Sequence, residues 1–377
     1  MAIQEMSVGE LQAALDAHQL LTVLDVRPAA QRAEWAIPDS RHVDAYDELW
    51  RGETASLCRT AEALPRDRPV VAVCAMGRTS LIAAQVLQQL GFSAYSLTGG
   101  MTAWSDAWNT AEAVLPPTGG PDAVAVVQVR RTGKGCLSYL IGSAGEAIVI
   151  DPSVAPDVYL QLARDRGWRI VKVLETHVHA DHVSRARALA EQAGAELLLP
   201  PQQRVQYAFR PIADGDRLTF GAATVRALQT PGHTTESMCY LVNDQALFTG
   251  DTLFLQSVGR PDLVAPGDEP ARRARMLFHS LKDTLASLPG SLLVFPCHTS
   301  EPIAFDGVVH AAPLERILAG LPLLALDEGP FVEAVLGRIP PTPPNHVQIV
   351  KINEGKASMP PDLRPLEAGA NRCAVSR

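Results

Sequence analysis

Between Leu174 and Ser184 the chain reads LETHVHADHVS, which sets three of its ten histidines and an aspartate within six residues. Imidazole nitrogens and carboxylate oxygens are ligands for zinc and iron, and packing alone does not call for such a density of them. His177 and His179 stand at i and i+2 after the apolar run IVKVL, a spacing that can put both imidazoles on one side at a strand end. Asp181 and His182 complete an H-x-H-x-D-H pattern where a turn or helix begins. Three further donors lie downstream: His233 in TPGHTTES, Asp251 in FTGDTLF and His298 in FPCHTSE. Each follows a predicted strand or turn, as loops converging on one sheet edge would. The set reads as a metal centre. Which metal, how many ions and what reaction stay open from these residues alone.

A second reactive group comes earlier. In VVAVCAMGRTSLIAA, Cys74 ends a strand, a short loop follows, and a helix begins. The loop and the first helical turn are expected to aim several backbone N–H groups at the sulfur. With Arg78 nearby they favour the thiolate, a nucleophile able to carry an outer sulfur atom as a persulfide. Gly77 allows the tight backbone of such a cradle. A cysteine phosphatase would need an arginine six residues after the cysteine, and position 80 is Ser.

These groups need elements to position them. LLTVLDVR and PVVAVC read as buried strands, SLIAAQVLQQLGF as a helix with Ile82, Val86 and Leu90 on one face, and SAYSL as a further strand. Strand, helix, strand implies a parallel sheet with helices on its faces. VLPPTGGPDA then breaks the composition, with three prolines and two glycines in ten residues. After it, AVAVVQVR, CLSYLIG, EAIVIDP, IVKVLETH, ALFTGD and LLVFPCH read as strands, interleaved with helical VYLQLARDRG, SRARALAEQAG and ARRARMLFHSLKDTLASL. The expected division is 1–112 for the first domain, 113–123 for a linker, 124–350 for the second domain and 351–377 for a tail. Its last ~20 residues, polar after a Pro-rich stretch, are expected to be loosely held.

A chain of 377 residues favours two domains. The formal charge of −8, with no basic block, argues against a nucleic-acid partner. No apolar run nears the ~20 residues that span a bilayer, and no secretory signal is visible. Six scattered cysteines show no disulfide framework. A cytoplasmic α/β enzyme in a reducing compartment is expected, and a homo-oligomer is allowed.

LDVR (Leu24–Arg27), CAMGRTS (Cys74–Ser80) and LTGGMTAW (Leu97–Trp104) together resemble the rhodanese (thiosulfate sulfurtransferase) family over roughly residues 5–110. The resemblance implies a parallel-sheet domain in which Cys74 carries sulfur and Arg78 lies near the substrate. The segment EWAIPDSRH (Glu34–His42) departs from the family's usual Gly-His-Ile-Pro-Gly type. From Val124 to His346, THVHADH, PGHTTES, TGDTLF and PCHTSE resemble the metallo-β-lactamase superfamily, which implies an αββα sandwich. For its two-metal hydrolases the matching positions are His177, His179 and His233 for one ion and Asp181, His182 and His298 for the other, with Asp251 bridging.

GCLSYLIG, DTLF, VGRPDL (Val258–Leu263) and RIPPTPPNH (Arg338–His346) are similar to the persulfide dioxygenase branch. That resemblance implies one Fe(II) per chain on His177, His233 and Asp251. His179, Asp181, His182 and His298 then support those ligands, and Arg260 meets an anionic persulfide. The reaction implied is oxidation of a thiol persulfide, such as glutathione persulfide, by O₂ to sulfite and thiol, alongside sulfane-sulfur transfer that makes or uses thiosulfate. Pro261 and Leu263 depart from the glutathione-using members and leave the thiol open. The alternative is a dizinc thioester hydrolase of the glyoxalase II type.

Overall fold

The computed structural model describes residues 3–117 and 123–376; the middle of the expected linker, 118–122, lies outside the described residues. The first domain is a five-stranded parallel sheet in the order Gln4–Met6, Ala94–Leu97, Val70–Val73, Thr22–Asp25, Arg41–His42. Its two middle strands, TVLD and VVAV, are buried throughout, the near-continuous apolar run of a strand covered on both faces. The helix after Cys74 runs Arg78–Gln89 and buries Ser80, Ala83, Ala84 and Leu87. Its inner face is therefore rotated from the expected Ile82–Val86–Leu90 stripe. Small residues face in because the helix lies close on the sheet; Ile82 and Val86 pack at the margin and Leu90 is exposed.

The second domain is two sheets face to face. One has seven strands in the order Arg210–Pro211, Glu196–Leu199, Arg169–Leu174, Glu146–Ile150, Cys136–Ser143, Val124–Arg131, Asn109–Leu115. The other has six: Arg217–Phe220, Ala223–Gln229, Met238–Val242, Ala246–Gly250, Leu293–Pro296, Ala312–Pro313. Period-2 alternation builds the layers. In Met238–Val242, residues 238, 240 and 242 join Tyr139, Ile148 and Phe248 between the sheets, while Cys239 and Leu241 face outward onto Leu277 and Leu281. On the other side Val127, Val149 and Val173 pack under Tyr159 and Leu189. Helices thus cover both sheets, an αββα sandwich.

Two boundaries differ from expectation. Asn109–Leu115 pairs antiparallel with Val124–Arg131, so residues assigned to the end of the first domain and to the linker form the edge strand of the second. The tail differs as well. Glu367, Cys373 and Val375 are buried, Ala374 bridges Gly259, and Lys134 Nζ donates to the Glu367 carbonyl at 2.7 Å. A polar composition misled here, because those polar groups satisfy buried partners instead of water.

The domains are joined by side chains of low exposure. Trp35 Nε1 donates to the Thr132 carbonyl at 3.2 Å, Thr132 Oγ1 to Gln12 Oε1 at 3.0 Å, and Arg131 Nε to the Ser105 carbonyl at 2.8 Å. A Cβ on Gly133 would stand 1.8 Å from the Trp104 carbonyl oxygen, so only glycine permits the close approach there.

Candidate functional site

The strands Arg169–Leu174, Ala246–Gly250 and Leu293–Pro296 end on one side of the sandwich, and the loop after Ala223–Gln229 joins them there. Their loops carry His177, Asp251, His298 and His233, all essentially buried. Ligand atoms of His177, His233 and Asp251 lie within 4.8 Å of one another. His177 Nε2 is 3.7 Å and His233 Nε2 3.4 Å from Asp251 Oδ2. The remaining ring nitrogens are held from behind: His177 Nδ1 meets Thr176 Oγ1 at 2.9 Å, and His233 Nδ1 donates to the Arg260 carbonyl at 2.7 Å. That donation leaves the lone pair of His233 on Nε2. Burial pushes both imidazoles below their ordinary range, which keeps them neutral. Burial would raise the Asp251 carboxyl, but His298 and the other imidazoles outweigh it and hold the group ionised. His177 Nε2 and Asp251 Oδ2 have no hydrogen-bond partner despite full burial. Buried polar atoms are rarely left so, and a shared cation satisfies all three donors.

His179 is turned elsewhere. Its Nε2 lies 3.2 Å from Asp151 and 2.9 Å from Glu175, and its free Nδ1 is 4.0 Å from Asp181. Burial alone would lower it, yet the two carboxyl groups raise it well above its ordinary range. Asp151 occupies a left-handed backbone (φ 52°) and accepts from both the Thr176 amide and hydroxyl at 2.7 and 2.8 Å. Burial would raise Asp151, but His179 brings it down to about 2. Local strain of this kind is retained at sites where geometry matters.

A second group of donors comprises Cys136, Asp181, His182 and His298. His298 sits between two carboxylates, with Nδ1 2.6 Å from Asp251 and Nε2 3.0 Å from Asp181. Despite burial, those carboxylates hold it well above its ordinary range. His182 Nδ1 meets Asp181 at 3.0 Å, and its Nε2 has no partner. The Cys136 thiol, raised by burial and by Asp181 but lowered more by His182 and His298, comes down to about 7. Cys136 opens the strand Cys136–Ser143, and a bridge to His298 sets it in this loop cluster.

Arg260 does not face open space. It is fully buried, with Nε and Nη2 on Asp262 at 2.7 and 2.8 Å and Nη1 on the Pro341 and Arg372 carbonyls at 3.3 and 3.2 Å. Here the guanidinium expected to meet an anionic substrate is engaged by these protein groups, and the Arg260 carbonyl orients His233. Asn353 carries no signal in the sequence, yet its amide donates to the His179 and His182 carbonyls, both at 2.9 Å, and fixes the H-x-H-x-D-H loop. Cys297 is packed, as expected, and burial pushes its thiol up.

In the first domain the Gly77 amide donates to Cys74 Sγ at 3.1 Å and Ser80 Oγ lies 3.3 Å from it, itself met by Ser96 Oγ at 2.8 Å. Gly77 is left-handed (φ 82°), and a Cβ there would meet the Gly99 amide at 2.7 Å. Arg78 sits exposed at the first helical position.

Residues 7–107 match the rhodanese-like domain and residues 131–207 the metallo-beta-lactamase superfamily. The chain is 35% identical over 242 residues to a hydroxyacylglutathione hydrolase of Anaeromyxobacter dehalogenans, covering 56% of this chain and 90% of that protein. With the hydroxyacylglutathione hydrolase of Rhizobium etli it shares 39% over 155 residues, 40% of this chain, and spans just 56% of that relative. The human mitochondrial persulfide dioxygenase ETHE1 is 33% identical over 172 residues, 43% of this chain and 63% of that protein. Among solved structures, ETHE1 from Myxococcus xanthus superposes with a TM-score of 0.54 at 26% identity, over 62% of this chain and 99% of that one. The chain belongs to the metallo-β-lactamase superfamily and carries a rhodanese domain ahead of the sandwich. Its relatives include both a persulfide dioxygenase and hydroxyacylglutathione hydrolases, and its second domain is that of a metal-binding enzyme.

Proposed function

We propose that the chain is a sulfur-oxidising enzyme: its sandwich oxidises a low-molecular-weight thiol persulfide with O₂, and its rhodanese domain moves sulfane sulfur through Cys74. One observation carries this reading. His177, His233 and Asp251 present two imidazoles and one carboxylate to a common point, while His179, the third imidazole a hydrolytic site would use, is turned to Asp151 and Glu175 at 3.2 and 2.9 Å. Fe(II) bound by such a triad supplies open positions where O₂ and a thiolate can meet. The chain's own groups hold the ligands: Thr176 behind His177, the Arg260 carbonyl behind His233, and His298 on the outer oxygen of Asp251. The balance is RSSH + O₂ + H₂O → RSH + sulfite + two protons. Cys74, with the Gly77 amide at its sulfur, would carry the outer sulfur between thiosulfate, sulfite and persulfide. Six free cysteines suit a reducing, cytoplasmic setting.

A second reading has one observation in its favour. The partnerless Nε2 of His182, with Cys136, Asp181 and His298, could help hold a second ion, as a dizinc thioester hydrolase requires. Loading purified protein separately with iron and zinc decides between them. Iron protein should consume O₂ in proportion to glutathione persulfide and release sulfite. Hydrolysis of a glutathione thioester by zinc protein, with no O₂ uptake by either form, would replace the oxygenase reading with the second.

A further inference from the structure

One buried nucleophile at the metal-ligand cluster has no part in the proposed reaction. Cys373 is wholly inaccessible, and its Sγ lies within 4.8 Å of ligand atoms of both Asp251 and His298. Of these, Asp251 Oδ2 has no hydrogen-bond partner despite full burial. The thiol thus stands at the edge of the donor set, where the sulfur of a persulfide would have to arrive. It is brought there by the segment 364–376. Glu367 anchors that segment on Arg131, and Gly369 (φ 108°) turns it. Arg372 then reaches back to Glu34 of the first domain at 3.4 Å, and Asn371 donates to Asp181 at 3.1 Å. Residues 368–372 have no regular structure and are partly exposed, whereas Cys373 is locked by the Arg260 amide on its carbonyl at 2.8 Å.

The same segment closes a cavity of about 210 Å³ lined by Ala75, Met101 and Thr102 on one side and Gly369 and Ala370 on the other. Ala75 follows Cys74, and the Met101 amide donates to the Cys74 carbonyl at 2.8 Å. One short segment therefore lines the same cavity as the sulfur-carrying loop and reaches the metal-ligand cluster four residues later.

We propose that Cys373 is a sulfane-sulfur acceptor, and that its persulfide is a substrate presented to the metal centre by the chain itself; this rests on the oxygenase reading above. The transfer is a thiol–persulfide exchange. Once 368–373 opens and water reaches the sulfur, the Cys373 thiol gives its proton to solvent and attacks the outer sulfur of Cys74–S–SH; a new S–S bond forms as the old one breaks, and Cys74 leaves as thiolate and is reprotonated from solvent. Oxidation then follows the same balance, Cys373–SSH + O₂ + H₂O giving Cys373–SH, sulfite and two protons. Access needs local opening of 368–373, a stretch without regular structure.

The test uses the full chain. Metal-free protein is charged anaerobically with thiosulfate or, separately, with glutathione persulfide, then alkylated and mapped by mass spectrometry. The expected result is one added sulfur atom on the Cys373 peptide as well as on Cys74. In Cys74→Ser the Cys373 label should vanish with thiosulfate but survive with glutathione persulfide, which separates the two sulfur sources. Iron-loaded, thiosulfate-charged and desalted protein given O₂ should lose the Cys373 label and release sulfite, with the yield in Cys373→Ser lower by roughly 10-fold or more because the tethered donor is gone. Label on Cys74 alone, or equal sulfite from Cys373→Ser, overturns the proposal while leaving O₂ uptake with free persulfide intact. Label on Cys373 that survives O₂, with free glutathione persulfide also inert, overturns both the oxidation step and the oxygenase reading and leaves the acceptor assignment standing.

Discussion

Glu367 is the residue whose removal most directly tests how the segment 364–376 is held. Its carboxylate lies 2.8 Å from Arg131 Nη1, with both side chains at most 2% exposed, and also accepts from the Val183 amide at 2.7 Å and from Arg185 at 3.3 Å. Glu367→Ala leaves the buried Arg131 cation with only the partly exposed Asp106 as a counter-ion. Breaking a buried pair by deleting one partner costs about 3–5 kcal/mol, and the orphaned Val183 amide adds about 1–3 kcal/mol. Together these give about 4–8 kcal/mol. For a domain of this size that is a fall in Tm of roughly 8–32 °C. Glu367→Gln keeps an acceptor for Val183 and so separates the lost charge from the lost hydrogen bond. The exposed pair Arg51–Glu53 is the control, since solvent screening leaves such a pair with little effect on stability. Burial would raise the Glu367 carboxyl, but Arg131 and Arg185 hold it below its ordinary range. Its contribution is therefore complete above the unfolded pKa of about 4.3 and is lost as pH falls through the lower folded value. Thermal melts of wild type, Glu367→Ala, Glu367→Gln and Arg51→Ala across pH 3–7 measure this. If Glu367→Ala melts with Arg51→Ala, the segment is not anchored as described.

Gly100→Ala should disable sulfur transfer and destabilise the first domain by about 1–3 kcal/mol, because its Cβ would stand 2.3 Å from the Cys74 carbonyl oxygen at a left-handed backbone; thiosulfate turnover and a melt report it. Arg260→Ala should weaken metal binding about 10- to 100-fold by freeing the loop that orients His233, measured by competition with a chelator. Asp251→Asn should abolish bound metal, read by elemental analysis of the purified chain; full occupancy would contradict the assigned triad.

Much of the site is legible in the sequence because its donors sit in short loops with distinctive neighbours. H-x-H-x-D-H is local, and His233, Asp251 and His298 stand beside Gly, Gly and Cys at strand ends. The groups that are not legible depend on long-range pairing. Cys136 reaches Asp181 because its strand lies beside Glu146–Ile150, and Asp151 reaches His179 because that strand in turn neighbours Arg169–Leu174. The partners of Arg260 are not legible either. Asp262, Pro341 and Arg372, which occupy it, come from three separate stretches of sequence. The segment 364–376 misleads through its composition, whereas Glu367 and Asn371 are polar in order to meet Arg131 and Asp181. In the fold, strands with long apolar runs are evident from sequence. The short edge strands Arg210–Pro211 and Ala312–Pro313 carry no period to read.

The central claim is that two imidazoles and one carboxylate hold a single redox-active ion. Elemental analysis of the purified chain, taken with O₂ consumption on adding glutathione persulfide, tests it most directly. One iron per chain with persulfide-dependent O₂ uptake is the predicted result; two zinc ions per chain with no O₂ uptake would contradict it.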